Sequence, residues 1–228
     1  MIAKSQHVTF SAAPAADDGP LLEGVLHAPD GSGPFPAAVV CHPHPLMGGD
    51  MNNTVVVAVC RVLAERGWIT LRFNFRGAGG SAGAFDEGRG EMDDVAGAVD
   101  FLCTQPGVDA GRLAVVGYSF GAEVGLRHAA RDSRVSLLVG IALVQQCYAD
   151  LFLDADPRPK LFIAGDRDPW APAGALREYV ARLHPPKRLC IIPGASHIFA
   201  GREREAAALV ADFLNGSDFQ SPGKEIKK

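Results

Sequence analysis

Three short segments, far apart in the chain, carry the side chains that acyl transfer needs. The first is Gly117-Tyr118-Ser119-Phe120-Gly121, directly after the apolar pair Val115-Val116. It matches G-x-S-x-G, the pattern of a sharp strand-to-helix turn that lifts a serine Oγ toward solvent. Glycines flank such a turn because a β-carbon would collide where the two backbone segments approach. A serine hydroxyl is a weak nucleophile, so it needs a base, and the base needs an acid to orient it. The apolar run "KLFIAG" is followed by Asp166-Arg167-Asp168, two candidate carboxylates, and Pro193-Gly194-Ala195-Ser196 leads into His197. Serine, aspartate, histidine is the chain order that accompanies this turn. An aspartate next to its strand turns inward or bonds its own loop, whereas one further along reaches across to the histidine. The expected set is Ser119 as nucleophile, His197 as base and Asp168 as acid.

The stretch Cys41-His42-Pro43-His44-Pro45-Leu46-Met47-Gly48-Gly49 raises a different chemistry. Two histidines one residue apart can ligate a metal, but such a site needs at least one more histidine, cysteine or carboxylate close in space. The chain has neither an HxHxDH run nor HExxH, so no metal is expected, and His42 reads as a residue that holds this loop by hydrogen bonds. Gly77, Gly79 and Gly80 after Arg76 could suggest a phosphate-cradling loop. Neither G-x-x-x-x-G-K-[ST] nor G-x-G-x-x-G is present, however. Arg76 is expected to tie that loop down, with an acidic substrate group as its alternative partner. Glu123, four residues after Ser119, stands where small or apolar residues are common. It either pairs with a nearby arginine or is partly buried with a raised pKa.

These residues need a scaffold that brings three loops together, and the pattern of the chain supplies one. Segments 7–12 and 21–28 read as strands around the turn-rich "PAADDGP". Residues 37–41 form a continuous apolar run that suits a strand buried on both faces, and 54–66 carry apolar residues at helical spacing up to Gly67. The alternation repeats as strand 68–75, helix 92–103, strand 112–117, helix 120–131, and strands 135–143 and 160–165. Helix 174–183, the strand "KRLCIIPG" and helix 203–214 complete it. Glu91, Asp93 and Asp94 fall in a first helical turn, where carboxylates complement the dipole, so capping is their expected role. Such alternation predicts an α/β fold, a mostly parallel sheet of about eight strands with an antiparallel N-terminal edge and helices on both faces. In an open parallel sheet, ligands sit beyond the carboxyl ends of the strands, where all the singled-out residues lie.

The bulk numbers agree with one globular domain, 1–215, followed by a tail over 216–228 expected to be disordered. Of 228 residues, 47% are hydrophobic and 21% charged, and the net charge of −4 is spread along the chain, which argues against a nucleic-acid surface or a polybasic membrane patch. The five cysteines are widely spaced and mostly in apolar runs, as reduced core thiols are. With no signal-peptide pattern at the N-terminus and no run of about 20 apolar residues, the expected location is the cytoplasm, with no membrane partner.

The segments "CHPHPLMGGDMNN", "LRFNFRGAGGS", "GYSFG", "GDRD" and "GASHIF", in this order, span nearly the whole chain. In them the chain resembles a family of small lidless bacterial α/β-hydrolases with an HPHPL-x-GG motif, allied to dienelactone hydrolases and serine acyl-hydrolases. The resemblance implies the α/β-hydrolase fold and the roles of Ser119, Asp168 and His197 given above. It implies that the backbone N–H groups of Phe120 and of His44 form the oxyanion hole, since Pro43 and Pro45 have no N–H to give. Only "VQQCYADLFLDADPRP" separates two strands where this fold admits a cap, so no cap domain is expected. Leu46, Met47, Tyr148, Leu151, Phe152 and Trp170 are the expected walls of an open apolar groove. The implied activity is hydrolysis of small to medium carboxylic esters through an acyl-enzyme, without a cofactor. Amide or peptide cleavage, or acyl transfer, by the same triad is the alternative; a non-catalytic binding protein would not need all three residues. A dienelactone hydrolase proper would have cysteine at position 119.

Overall fold

The computed structural model describes residues 4–12 and 19–216. The predicted tail beyond Gly216, and most of the turn before Leu21, lie outside the described residues. Eight strands form one sheet: β1 (Lys4–Ser11), β2 (Leu21–Ala28), β3 (Phe35–Cys41), β4 (Ile69–Phe73), β5 (Val108–Tyr118), β6 (Val135–Ile141), β7 (Lys160–Gly165) and β8 (Lys187–Ile192). Their spatial order is β1-β2-β4-β3-β5-β6-β7-β8. β1, β2 and β4 pair antiparallel, and β4, β3, β5, β6, β7 and β8 run parallel. Among the described residues the α-helices are α1 (Thr54–Glu65), α2 (Arg89–Cys103), α3 (Phe120–Ala129), α4 (Ala173–Arg182) and α5 (Glu203–Asn215).

This order follows from the handedness of crossovers. From β3 the chain passes through α1 to β4 on one side; from β5 it passes through α3 to β6 on the other. Right-handed connections running in opposite directions put their helices on opposite faces. Accordingly α1 packs against α5, and α2 against α3. The crevice between the carboxyl ends of β3 and β5, where the direction reverses, is the switch point at which such sheets bind ligands. Both the His42–His44 loop and Ser119 open from it.

The buried centre is the apolar strand set expected from sequence. Every residue of β7 is buried, as are Ala37 to Cys41 of β3. Trp68 is fully buried and its Nε1–H donates to Asn215 Oδ1 at 3.2 Å, pinning the end of α5 against the start of β4. Several boundaries differ from expectation, β5 for instance beginning at Val108 and β4 ending at Phe73, and at two of them the cause is visible. β3 begins at Phe35, and the ladder slips its register between Phe35 and Ala37, so Pro36 sits where no ladder donor is needed. α2 begins at Arg89, because Glu91 reaches back to accept from the N–H groups of Gly88 and Asp86, both at 2.8 Å. Asp94 does not cap; its partner is Arg76. Among the described residues the connection between β6 and β7 holds a 3-10 turn, Gln145–Ala149, and no inserted domain. No helix among them is long and apolar enough to cross a membrane.

Candidate active site

Ser119 sits between β5 and α3 with φ 54° and ψ −116°, a region L-residues seldom occupy. Such a conformation costs about 1–3 kcal/mol and persists only where the surroundings enforce it. Here the enforcement is visible. The Ser119 N–H donates to Ile141 O at 2.8 Å, and its carbonyl accepts from Ala122 N at 2.9 Å. A β-carbon on Gly117 would lie 2.2 Å from the Gly121 carbonyl oxygen. One on Gly121 would lie 2.5 Å from the carbonyl oxygens of both Cys41 and His42. The two glycines thus let the turn close on itself and let the β3 loop lie against it.

The structure brings together the three residues singled out from sequence. His197 Nε2 is 2.9 Å from Ser119 Oγ, and His197 Nδ1 is 2.7 Å from Asp168 Oδ2. The Asp168 carboxylate is fully buried, and its other oxygen, Oδ1, accepts from the N–H groups of Trp170 and Ala171 at 2.9 Å each. A carboxylate only accepts, so His197 carries its proton on Nδ1, and Nε2 is left to accept from the serine hydroxyl. The histidine loop is held as well. Tyr118 donates its hydroxyl to His197 O at 2.8 Å, and the Trp170 ring stands edge-on to the imidazole at 4.7 Å. Asp166 turns instead to its neighbouring loop, where Oδ1 accepts from Gly194 N at 2.6 Å.

The two histidines of the β3 loop have different fates. His42 is wholly buried; its Nδ1 donates to Pro43 O at 2.6 Å and its Nε2 accepts from Phe75 N at 3.0 Å. Burial pushes its pKa down to about 4. With both ring nitrogens spent, it fastens the β3 loop to the chain after β4 and has no lone pair for a metal. His44 lies at the cleft, its ring between those of Phe85 and Phe120, centroids 4.9 Å from each. Its Nδ1 accepts from Leu46 N at 3.2 Å. The backbone N–H of His44 has no partner among the described residues. Phe120 opens α3, so its N–H has no carbonyl one turn earlier to bond. Two unpartnered N–H groups therefore border the same cleft as Ser119.

That cleft has a volume of about 660 Å³. Met47 and Trp170 line it, as expected; Leu46, Tyr148, Leu151 and Phe152 do not. Leu46 projects into solvent from the 3-10 turn Pro45–Met47, and Leu151 is likewise exposed. Tyr148 is buried beneath, stacked on Tyr179 with its hydroxyl on Leu143 O, and Phe152 lies under the Arg127 guanidinium. Among the walls that sequence reasoning missed are Asn53, Gln145, Gln146 and Ile198. Two of these had a signal: Ile198 adjoins His197, and Gln145 shortly follows a strand end. Arg76 is not a wall. Its Nε and a terminal nitrogen donate to Asp94 Oδ1 at 2.9 and 2.8 Å, and its backbone N–H to Oδ2 at 2.8 Å.

A protein of unknown function from Agrobacterium tumefaciens, described as an α/β-hydrolase, shares 35% identity with this chain. It superposes with a TM-score of 0.83 over 95% of this chain and 100% of its own. An α/β serine hydrolase without a lid from Xanthomonas campestris shares 31% identity, with a TM-score of 0.79 over 97% of both. An uncharacterised protein of Rickettsia prowazekii is 35% identical over 187 residues, 78% of each chain. The fold is thus that of the α/β-hydrolases, with no inserted cap among the described residues. The family described as X-Pro dipeptidyl-peptidase (S15 family) matches residues 18–188, from before β2 into β8 and short of His197. With so much of its length matched, the chain belongs to the S15 family.

Proposed function

We propose that this protein is a serine hydrolase that cleaves carboxylic esters of small to medium size through an acyl-enzyme. The observation that carries the proposal is the unbroken hydrogen-bond relay from Asp168 through His197 to Ser119, ending at a cleft bordered by two free backbone donors. His197 Nε2 takes the hydroxyl proton as Ser119 Oγ attacks the carbonyl carbon. Negative charge moves to the carbonyl oxygen, where the N–H groups of Phe120 and His44 meet it; one such donor is typically worth ~10²–10³ in rate. The imidazolium, stabilised by Asp168, then protonates the departing alkoxide. Water, deprotonated by the same nitrogen, frees the acid and restores Ser119. No step calls for a cofactor.

In its HPHPL-x-GG loop the chain resembles a family of small bacterial α/β-hydrolases allied to dienelactone hydrolases and serine acyl-hydrolases, and that resemblance supports Ser119 as the nucleophile. All five cysteines are free thiols, which suits a reducing compartment, and we place the protein in the cytoplasm. The family description favours a second reading, in which the same relay cleaves an amide bond. Hydrolysis of p-nitrophenyl acetate, butyrate and octanoate, beside glycyl-prolyl p-nitroanilide, tests both in the parent and in Ser119→Ala. Ester cleavage well above anilide cleavage, abolished in the variant, is expected. Comparable efficiency on the anilide would put the amide reading first, and equal activity of parent and variant would remove both.

A further inference from the structure

Acylation removes one of the two bonds that hold the imidazole of the relay. In the free protein the His197 ring is fixed at both nitrogens, by Asp168 Oδ2 at 2.7 Å on Nδ1 and by Ser119 Oγ at 2.9 Å on Nε2. Once Oγ carries the acyl group it has no proton to donate, and Nε2 must instead hold the hydrolytic water. The ring then keeps one side-chain hydrogen bond, to Asp168. Its place beside the acyl carbon depends on how firmly the backbone of His197 is held.

Tyr118 holds that backbone. It is the last residue of β5 and the covalent neighbour of Ser119, buried and in register with Ile141 of β6. Its hydroxyl donates to His197 O at 2.8 Å. Burial and the nearby Asp168 charge push the phenol pKa up, so the hydroxyl keeps its proton as a donor. The Tyr118 ring stands edge-on to that of Phe199, centroids 6.1 Å apart. Phe199 is fully buried with φ 51°, a conformation unusual for a bulky side chain. Its N–H donates to Ser196 O at 3.2 Å and its carbonyl accepts from Arg202 N at 2.7 Å, so the turn closes around the histidine. Other holds on this loop are more remote or looser. Asp166 meets Gly194, three residues earlier, and the Trp170 ring beside the imidazole is half-exposed.

We infer that Tyr118 is a positioning residue for His197 and that its hydroxyl acts chiefly in deacylation. The strand end that sets the nucleophile thus also sets the base, through a bond that acylation leaves intact. During acylation Oγ, Asp168 and Tyr118 hold the histidine together, and the loss of one is tolerated. During deacylation Nε2 takes a proton from water as the hydroxide oxygen attacks the acyl carbon, and the collapsing intermediate takes that proton back on Oγ. The bonds to Asp168 and Tyr118 are then the ones that remain on the histidine. The inference rests on the serine-hydrolase reading and assigns a residue to its second step.

Tyr118→Phe removes the hydroxyl and keeps the ring against Phe199. Stopped-flow hydrolysis of p-nitrophenyl butyrate separates the two steps, with a burst of p-nitrophenolate for acylation and the linear phase after it for deacylation. The burst rate and kcat/KM should stay within about threefold of the parent, while the linear rate and KM both fall about tenfold, the equilibrium weight of one hydrogen bond. A role confined to folding would lower the melting temperature and slow both phases alike. That result, or an unchanged linear rate, would overturn the inference. NMR tests it without turnover. In Ser119→Ala the imidazole lacks its Oγ partner, as it does in the acyl-enzyme. Solvent exchange of the His197 Nδ1 proton should become about tenfold faster there once Tyr118→Phe is added. Equal exchange in the two proteins would refute the positioning role. Faster exchange, in a protein whose parent forms no acyl-enzyme, would leave that role standing and remove the esterase reading.

Discussion

Two regions of the molecule set a buried carboxylate against a nitrogen-bearing side chain, and only one of them has a free end. Around Arg76, both oxygens of Asp94 are occupied by one residue, through its backbone N–H and its guanidinium. That pair is closed, and it holds the glycine-rich loop after β4 onto α2. Around His197, Asp168 spends one oxygen on the N–H groups of its own loop and the other on Nδ1, leaving Nε2 facing the Ser119 hydroxyl. Burial of a charge pair is thus no mark of catalysis by itself; a partner left over for the cleft is. The sharpest way to break this contrast is Asp168→Asn. The amide can offer an N–H to Nδ1, which favours the wrong tautomer, so ester kcat should drop about 10⁴-fold with little change in melting temperature. A loss below tenfold would dissolve the contrast.

The closed pair should respond in the opposite sense. Asp94→Ala strips the partner from an arginine side chain only 15% exposed and leaves its charge unpaired, so stability should fall by about 3–5 kcal/mol. Urea unfolding measures that loss, and the protein that remains folded should keep kcat within tenfold of the parent. A stable variant with a kcat collapse would move Arg76 from scaffold to chemistry.

His42 is a second closed site, and pH reads it. Burial holds its folded pKa at about 4 against 6.5 for the free side chain, so the unfolded chain takes up the proton first as pH falls. Its contribution is intact above pH 6.5 and is lost progressively down to about pH 4, by up to ~3 kcal/mol. His27 and His128, also lowered by burial, act in the same direction. Urea unfolding at pH 7 and pH 4.5 should show this loss in the parent and a shallower one in His42→Gln. An equal slope in both would mean that His42 is not the residue the loop leans on.

Much of the scaffold was legible because its signals are local. Period and turn residues marked the alternation of strands and helices, and the G-x-S-x-G turn together with the chain order singled out Ser119, Asp168 and His197 before any coordinates. What was not legible depends on tertiary packing. Asp94 looks like a helix-capping carboxylate, and only the fold brings the loop after β4 close enough for Arg76 to claim it. Tyr148 and Phe152 look like pocket walls because they are large and lie in the right connection, yet the 3-10 turn Gln145–Ala149 faces the cleft with Gln145 and Gln146 and packs Tyr148 inward. Glu123 was marked as unusual from its spacing alone. That it is the single formal charge beyond the histidines among the described residues of the cleft depends on where Arg127 and Asp150 end up, which no spacing reveals.

The smallest effect tests the finest distinction, between two aspartates two residues apart on one loop. Asp166 Oδ1 takes one backbone N–H, that of Gly194, and touches nothing in the relay. Removing an exposed acceptor of that kind costs about 1 kcal/mol of stability. It loosens the turn that carries His197 without changing the imidazole tautomer, so Asp166→Ala should lower kcat by less than tenfold. Beside the ~10⁴-fold loss expected for Asp168→Asn, two substitutions on the same turn would then differ by about three orders of magnitude. Kinetics of both variants on one p-nitrophenyl ester measure the gap directly. If Asp166→Ala fell as far as Asp168→Asn, the hydrogen bond at 2.7 Å would not be what sets the histidine, and control of its position would belong to the loop as a whole.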